Sequence, residues 1–274
     1  MTRPRSYQTR AIVIKKTKLG EADRILTLYT PDLGKIQAVA KGVRRPKSKM
    51  AGHLELLTHS QISLARGRNL DIITGSQTID SFLPLKTDLW LTSCGLYVIE
   101  LVNQFTADQA EDEALFRLLL ETLSNLCRDP STGSGQTLLL RYFEIKLMDM
   151  AGFRPQLQEC VSCRQPLAPV VNFFSAAGGG MLCPLCASKE PFAYGIPVNS
   201  LKVLRFIQEN SYDAVSRLKI TTTLARELEA ITRHYLRYLL EREVKSAVWL
   251  DTLREQLKQT AKEQGPVTTA TEIQ

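Results

Sequence analysis

The stretch RILTLYTPDLGKIQAVAK, residues 24–41, decides the architecture of the first third of the chain. Its first seven residues are rich in strand formers, and its last seven alternate polar and apolar side chains as a half-buried strand does. Between them, Pro31 presets φ, Asp32 can bond its own backbone, and Gly34 accepts a positive φ. The stretch therefore predicts two strands joined by a tight turn.

Shorter strand-forming runs surround this hairpin. Residues 11–14 are a mainly β-branched run, and residues 54–64 and 69–78 supply further short strands. Five short strands within about 80 residues, separated by turn residues, are typical of a small barrel or sandwich. A five-stranded OB-fold barrel is one such solution, and it is a common nucleic-acid platform. We therefore expect a β domain over residues 1–83.

From residue 85 onward the pattern becomes helical, because apolar residues recur at spacings of three and four. This predicts helices at residues 89–105, 111–128, 138–150, 201–209, 223–242 and 246–262. A flexible loop is expected at residues 129–135, and the polar residues 265–274 are expected to form a disordered tail. The chain thus has the pattern of an α+β protein, with a helical domain over residues 84–264.

Two cysteine pairs give the sharpest local signal. They are C-x2-C motifs separated by nineteen residues, and their members are Cys160, Cys163, Cys183 and Cys186. This spacing is typical of a four-thiolate zinc site, and an intervening strand and triple glycine predict a zinc ribbon inserted at residues 157–190. Four thiolates leave no open coordination position, so the predicted Zn²⁺ is structural. Two redox pairs or incidental thiols are the alternatives.

Positive charge is concentrated in the β segment. The chain has a formal net charge of +7, from 35 Lys and Arg against 28 Asp and Glu. Residues 1–83 hold 15 cationic and 6 acidic side chains, a net of +9, whereas the remainder has a net of −2. This asymmetry indicates that the β segment meets a polyanion, with a solubilising surface as the alternative.

The densest positive cluster lies between the third and fourth predicted strands. KGVRRPKSK, residues 41–49, holds five cations and no acid, and DNA phosphates would relieve the repulsion among them. A solvated mobile loop or a localisation signal is the alternative. Residues 1–83 contain only three aromatic side chains, so we expect phosphate contacts to dominate, with little sequence preference. The candidate DNA contacts are Arg10, Lys15, Lys16, Arg24, Lys35, Lys41, Arg44, Arg45, Lys47, Lys49, Arg66 and Arg68.

Motifs of catalysis and of membrane insertion are missing from the sequence. It has neither a G-x4-G-K-[ST] phosphate loop nor a G-x-S-x-G elbow, and its three histidines lack metal-ligand spacing. We therefore expect no enzymatic activity. No apolar run reaches the roughly 18 residues of a membrane helix, and the polar N-terminus lacks a signal-peptide core. We expect no membrane association and a cytoplasmic, nucleoid-associated protein.

Three motifs of the β segment, GEADRILTLYT at residues 20–30, Gly34-Lys35 and AKGVRR at residues 40–45, resemble the N-terminal signature of the RecO family of bacterial DNA repair proteins. The order of parts is also similar over nearly the whole chain. The resemblance implies an N-terminal OB-fold, a helical C-terminal domain and an embedded zinc ribbon. It further implies a recombination mediator without enzymatic activity, which binds single- and double-stranded DNA and anneals complementary strands.

The same resemblance implies protein partners. RecO proteins act with RecR, and often with RecF, to help RecA displace single-strand binding protein from DNA. They also bind the acidic, apolar C-terminal tail of that protein, for which we expect a groove in the helical domain with cations at its rim. Candidate rim residues on the late helices are Arg226, Arg233, Arg237 and Arg242.

Two other classes of protein stay open. A zinc-containing, sequence-specific transcription factor would have one strongly preferred duplex site. A nuclease would need a carboxylate-bound Mg²⁺ and would degrade DNA when that metal is supplied.

Overall fold

Five strands at the start of the chain form a closed barrel in this computed structural model, which describes residues 5–128 and 134–263. The strands are β1 (Ser6–Leu19), β2 (Asp23–Thr30), β3 (Gly34–Ala40), β4 (His59–Ala65) and β5 (Asp71–Asp80). Around the barrel they follow the order β1-β2-β3-β5-β4, and a short parallel pairing of β3 with β5 completes the closure. The predicted five-stranded OB-type barrel is confirmed.

Two strands of the barrel differ from the prediction. β1 has 14 residues because its first half pairs with β4 and its second half with β2, so polar residues beyond the β-branched run join the sheet. Residues 54–58 are not part of a strand. A 3-10 turn at Gly52–Leu54 and the residues after it lead the chain to His59, where β4 begins. The hairpin at residues 24–41 forms as predicted.

Helices account for most of the remaining structure. They are α1 (Pro84–Thr87), α2 (Leu89–Phe105), α3 (Glu113–Arg128), α4 (Ser134–Met150), α5 (Pro184–Ala187), α6 (Val198–Glu209), α7 (Tyr212–Val215), α8 (Thr222–Leu240) and α9 (Lys245–Glu263). The six predicted helices are present, and α1, α5 and α7 are additional short ones. Within the described ranges, no helix has both the length and the apolar composition needed to cross a bilayer.

Two predictions about loops concern residues at the edge of the described structure. Helix α4 begins at Ser134, so the last two residues of the predicted loop 129–135 are helical. Residues 129–133 and the predicted disordered tail, residues 265–274, lie outside the described residues.

A small three-stranded sheet is inserted between α4 and α6. It consists of β6 (Asn172–Ser175), β7 (Gly180–Leu182) and β8 (Tyr194–Ile196), in the order β7-β6-β8. The predicted ribbon hairpin corresponds to β6 and β7, which pair in antiparallel fashion across the triple glycine. The third strand, β8, was not predicted, because three residues are too short to show a periodic pattern.

The barrel and the helices share apolar core. One set of barrel residues faces the helices and belongs to the main helical cluster: Ile12, Ile14, Tyr29, Leu57 and Phe82. A second contact is at Gly34, which has a φ of 61° and where a Cβ would lie 1.9 Å from the carbonyl oxygen of Ala110. Only glycine lets the β2–β3 turn approach the α2–α3 connection so closely. The barrel is therefore packed firmly against the helices.

Candidate nucleic-acid interface and metal site

The basic loop, residues 41–49, is folded into a series of turns and tied to the barrel. Val43 is buried in the barrel interior. The Gly42 N–H donates to Asp23 Oδ1 at 2.7 Å. The backbone N–H and the guanidinium of Arg44 donate to carbonyl oxygens of the β1–β2 turn at 2.9 and 3.1 Å. The loop thus presents its charges from a defined backbone at one end of the barrel.

The charges of the basic loop have no counter-ions among residues 5–128 and 134–263. Its five cationic side chains are exposed, and among the described residues none of them forms an ion pair. Arg10 and Lys15 on β1 are likewise exposed and unpaired in that part of the chain. Because like charges this close repel one another, a polyanion is the ligand that this surface accommodates best.

Two other predicted contacts share an acidic partner that the sequence did not reveal. Lys16 pairs with Glu55, and Arg24 Nη1 lies 3.7 Å from the same carboxylate. Nearby, the amine of Lys86 donates to Thr58 Oγ1 at 2.6 Å, and burial lowers the pKa of Lys86. Lys16 and Arg24 therefore contribute less free charge to the surface than the basic loop does.

Lys35 faces the helices, although it was predicted to contact DNA. Its Nζ donates to the carbonyl oxygens of Asn103 and Thr106 at the end of α2, at 2.9 and 2.6 Å, and lies 3.4 Å from Asp108. Its side chain is 12% exposed. The amine therefore stabilises the contact between the barrel and the helices, and we do not propose Lys35 as a DNA contact.

Replacing Lys35 by methionine is expected to lower the free energy of unfolding by about 1–2 kcal/mol, because two partly buried carbonyl groups lose their donor. DNA affinity and its salt dependence are expected to stay unchanged. Lys15→Met is the matched control, since Lys15 is exposed and unpaired. It should weaken DNA binding with little effect on thermal unfolding. If Lys35→Met instead loses DNA affinity in a salt-dependent way, Lys35 contacts DNA after all.

Arg66 and Arg68 lie in the connection between β4 and β5. The guanidinium of Arg66 covers the ring of Tyr7, with 4.4 Å between its Cζ and the ring centroid. Its Nη1 lies 3.3 Å from Asp71 Oδ2. Arg68 is exposed and forms no ion pair within the described ranges. Arg68 is thus exposed and unpaired like the basic-loop cations, whereas the charge of Arg66 is neutralised by Asp71.

The four predicted metal ligands converge on one point. The Sγ atoms of Cys160, Cys163, Cys183 and Cys186 all lie within 4.8 Å of one another. The Sγ atoms of Cys163 and Cys183 are 3.9 Å apart. Four sulfurs around a tetrahedral ion, each at about 2.3 Å, are separated by roughly 3.8 Å. The cluster therefore has the dimensions to hold a metal ion, and its four thiols are compatible with zinc.

Local backbone structure brings the two cysteine pairs together. In the first pair, a turn is closed by the Arg164 N–H, which donates to the Cys160 carbonyl at 2.9 Å. The second pair is held by α5, which begins directly after Cys183. The Val161 N–H donates to the Met181 carbonyl at 2.8 Å and so joins the first turn to β7. The sheet thus positions both pairs around the same point.

Cys160 is the buried member of the cluster, and backbone N–H groups lie close to its sulfur. Burial raises the pKa of its thiol, but backbone N–H groups of Cys163, Cys183 and Ser162 outweigh this effect and lower the pKa to about 6. By contrast, burial in the helical core raises the pKa of Cys94 to about 12. In the four-cysteine cluster, Ser162 lowers the pKa of Cys186, but hydrogen bonds with the other three cysteines outweigh it and raise that pKa to about 11. The convergence of the four sulfurs, rather than their pKa values, is therefore what fits a metal site.

The late-helix arginines predicted at the rim of a peptide groove divide into two groups. Arg233 and Arg237 are each held by a carboxylate at 2.6 Å. Arg226 and Arg242 are exposed and, in the part of the chain that the structure describes, unpaired. The charges of Arg226 and Arg242 are therefore available to a partner, whereas those of Arg233 and Arg237 are neutralised by carboxylates.

The chain matches two family models that together cover most of its length. They are Recombination protein O N terminal over residues 1–82 and Recombination protein O C terminal over residues 86–247. These matches place the chain, with its OB-fold barrel, helices and four-cysteine ribbon, in the class of recombination proteins.

Curated relatives agree with the family models. The DNA repair protein RecO of Dehalococcoides mccartyi (strain CBDB1) is 48% identical over 254 residues, which cover 93% of this chain and 98% of the relative. The DNA repair protein RecO of Roseiflexus sp. (strain RS-1) is 40% identical over 256 residues, 93% of this chain and 89% of the relative. The chain belongs to the RecO family of DNA repair proteins.

Proposed function

We propose that this protein is a non-enzymatic recombination mediator that binds single- and double-stranded DNA and anneals complementary strands. The observation that carries the proposal is the basic loop, residues 41–49, whose five cations project from an ordered backbone without ion pairs in the described chain. Two DNA strands repel each other, and a cationic surface lowers that repulsion. Contacts to phosphates leave the base edges free to pair.

Membership of the RecO family supports the protein partners in this proposal. The mediator acts with RecR, and often with RecF, to help load RecA onto DNA coated with single-strand binding protein. The helical part binds the acidic C-terminal tail of single-strand binding protein, and the unpaired Arg226 and Arg242 are the rim charges we favour. A sequence-specific transcription factor is less favoured, because the family models and the curated relatives of this chain are recombination and DNA repair proteins.

We also propose that the four-cysteine cluster holds one structural Zn²⁺. The donor set supports this assignment, because four thiolates suit zinc and leave no position open for a substrate. When bound, the metal would only cross-link the two cysteine pairs of the ribbon. Cys160, Cys163, Cys183 and Cys186 would hold it, at the end of the sheet formed by β6, β7 and β8.

Strand annealing with complementary oligonucleotides tests the mediator. We expect the protein to accelerate annealing at least about tenfold at low salt, as charge neutralisation on a shared surface should. We expect acceleration to continue when the strands are first coated with single-strand binding protein. Absence of acceleration would contradict the proposal. One strongly preferred duplex in a competition assay would indicate a transcription factor, and Mg²⁺-dependent degradation of the strands would indicate a nuclease.

Binding of the tail peptide is tested on the full chain, since barrel and helices share apolar core. A peptide with the acidic, apolar C-terminal sequence of single-strand binding protein is titrated against the wild type. The same titration is run with a variant in which Arg226 and Arg242 are both replaced by alanine. The proposal expects weaker binding in this variant and unchanged binding when the basic loop is neutralised. The reverse result would place the tail on the DNA surface.

A further inference from the structure

We propose that Arg66, whose guanidinium lies over the ring of Tyr7, forms a platform on which an unpaired base of single-stranded DNA stacks. This inference rests on the proposed DNA binding and adds a contact that distinguishes single strands from duplexes. It concerns a residue whose charge suggested a phosphate contact from the sequence alone. The structure points to a different use of its guanidinium.

The platform is held rigidly by one carboxylate. Tyr7 Oη donates to Asp71 Oδ2 at 2.6 Å, and Arg66 Nη1 donates to the same oxygen at 3.3 Å. The second oxygen, Oδ1, accepts from the Gly67 N–H at 3.1 Å. The backbone N–H of Arg66 donates to the carbonyl of Arg5 at 2.9 Å, which continues the β1–β4 ladder. Ring and guanidinium are therefore fixed with respect to each other and to the barrel.

The charge of this arrangement favours a base over a phosphate. The Asp71 carboxylate neutralises the guanidinium and would repel a second anion brought to the same nitrogen atoms. Burial, followed by the hydrogen bond to Asp71, raises the pKa of Tyr7 to about 12, so the phenol stays a neutral donor. What remains available is the outer face of the planar Arg66 group, and arginine planes are known surfaces for stacking unpaired bases.

The outer face of Arg66 is open to solvent, since its side chain is 43% exposed. The other two aromatic residues of the barrel segment, Tyr29 and Phe82, are buried in the core and cannot stack on a nucleotide. Among the Tyr and Phe side chains of the described barrel segment, Tyr7 is therefore the one that can take part in stacking. It adds one stacking position to a surface on which phosphate contacts are expected to dominate.

The position of the platform suits a strand that also contacts the basic loop. Asp71 lies opposite Ala38 in the parallel pairing of β5 with β3, and the basic loop begins three residues later, at Lys41. At about 3.3 Å per residue, Lys41 is therefore roughly 10 Å along β3 from the level of Asp71, so platform and loop lie at the same end of the barrel. Exposed Arg5 and Arg68, both without ion pairs in the described ranges, flank the platform for phosphate contacts.

Two substitutions of Arg66 separate stacking from charge. Arg66→Gln keeps a planar group and removes the charge, whereas Arg66→Lys keeps the charge and removes the plane. For a stacking site, Arg66→Lys is expected to weaken binding of a single-stranded oligonucleotide at least about fivefold, as for the removal of one stacked base. Arg66→Gln is expected to weaken the binding of the same oligonucleotide less than Arg66→Lys does. Neither variant should change duplex affinity by more than about twofold or alter the salt slope.

The readouts are the dissociation constants for single-stranded and duplex oligonucleotides at several salt concentrations, and the quenching of 2-aminopurine placed within the single strand. Reduced quenching in Arg66→Lys supports stacking. Equal weakening on single strands and duplexes, or weaker binding by Arg66→Gln than by Arg66→Lys, overturns the stacking site. DNA binding by the wild type separates the two proposals: its absence overturns the mediator as well, whereas its presence with the wrong order of variants overturns the platform alone.

Discussion

Replacing Cys160 by serine is expected to remove the bound zinc and to lower the free energy of unfolding by about 3 kcal/mol or more, since a structural metal contributes folding energy directly. In a protein of this size, that change corresponds to a fall of roughly 6–12 °C in the unfolding midpoint. Metal analysis of the purified protein gives the zinc content, and calorimetry gives the midpoint. The wild type should carry one Zn²⁺ per chain.

The cost is expected to extend beyond the ribbon, because its strands contribute to the main core. Phe174 on β6 lies against Tyr235 of α8, with ring centroids 5.0 Å apart, and Met181 on β7 is fully buried. A ribbon that opens after metal loss would expose both apolar side chains. We therefore expect Cys160→Ser to be less soluble as well as less stable.

Cys127→Ser is the matched control for the metal site. Cys127 is partly buried on α3 and lies outside the four-cysteine cluster. This variant should keep one zinc per chain and a nearly unchanged midpoint. The affinity of folded Cys160→Ser for DNA should also stay close to that of the wild type, because the basic loop is on the barrel. A wild type without zinc, with all four thiols freely titratable, would disprove the metal site.

The elements that could be predicted from the sequence are those fixed by local chemistry. The turn at Pro31, Asp32 and Gly34 predicts the β2–β3 hairpin, and the spacing of the cysteines predicts the convergence of their four sulfurs. Apolar periodicity predicts the six longer helices. The extent of β1 could not be predicted in this way, because its polar ends are held by pairing with strands that lie far along the chain.

Charge patterns predict the surface less well than hydrophobic patterns predict the core. Lys35 and Lys47 are alike in the sequence, yet the first is bound to the end of α2 and the second is exposed. Arg141 on α4 is fully buried and donates to Glu144, although a count of charges treats it like any surface arginine. The partner of a charged side chain is set by the tertiary fold, which a count of charges does not contain.

Neutralising the basic loop is expected to weaken DNA binding more than any other surface change. In a variant with Arg44, Arg45, Lys47 and Lys49 all replaced by alanine, the plot of log affinity against log salt should flatten by about one unit for each phosphate that is no longer bound. Affinity for single strands and duplexes of any sequence should fall alike, because phosphates carry no sequence information. Fluorescence anisotropy with labelled oligonucleotides at several salt concentrations measures both quantities.

The control has to separate the removal of charge from the disruption of loop structure, because Arg44 also anchors the loop through its bond to the Gly20 carbonyl. The triple variant that keeps Arg44 and replaces Arg45, Lys47 and Lys49 should retain the turn and still lose most of the binding, since the side chains of these three residues have no structural partner in the described chain.

A second control removes four positive charges from the helical part, as many as the quadruple loop variant removes from the loop. It has alanine at four exposed positions: Arg117, Lys202, Arg217 and Lys219. That variant should bind DNA almost as the wild type does, because these residues lie outside the barrel. If the helical variant is weakened as much as the loop variant, net charge rather than the loop directs binding. If the folded loop variants keep the affinity and salt slope of the wild type, the loop is a solvated turn and DNA binds elsewhere.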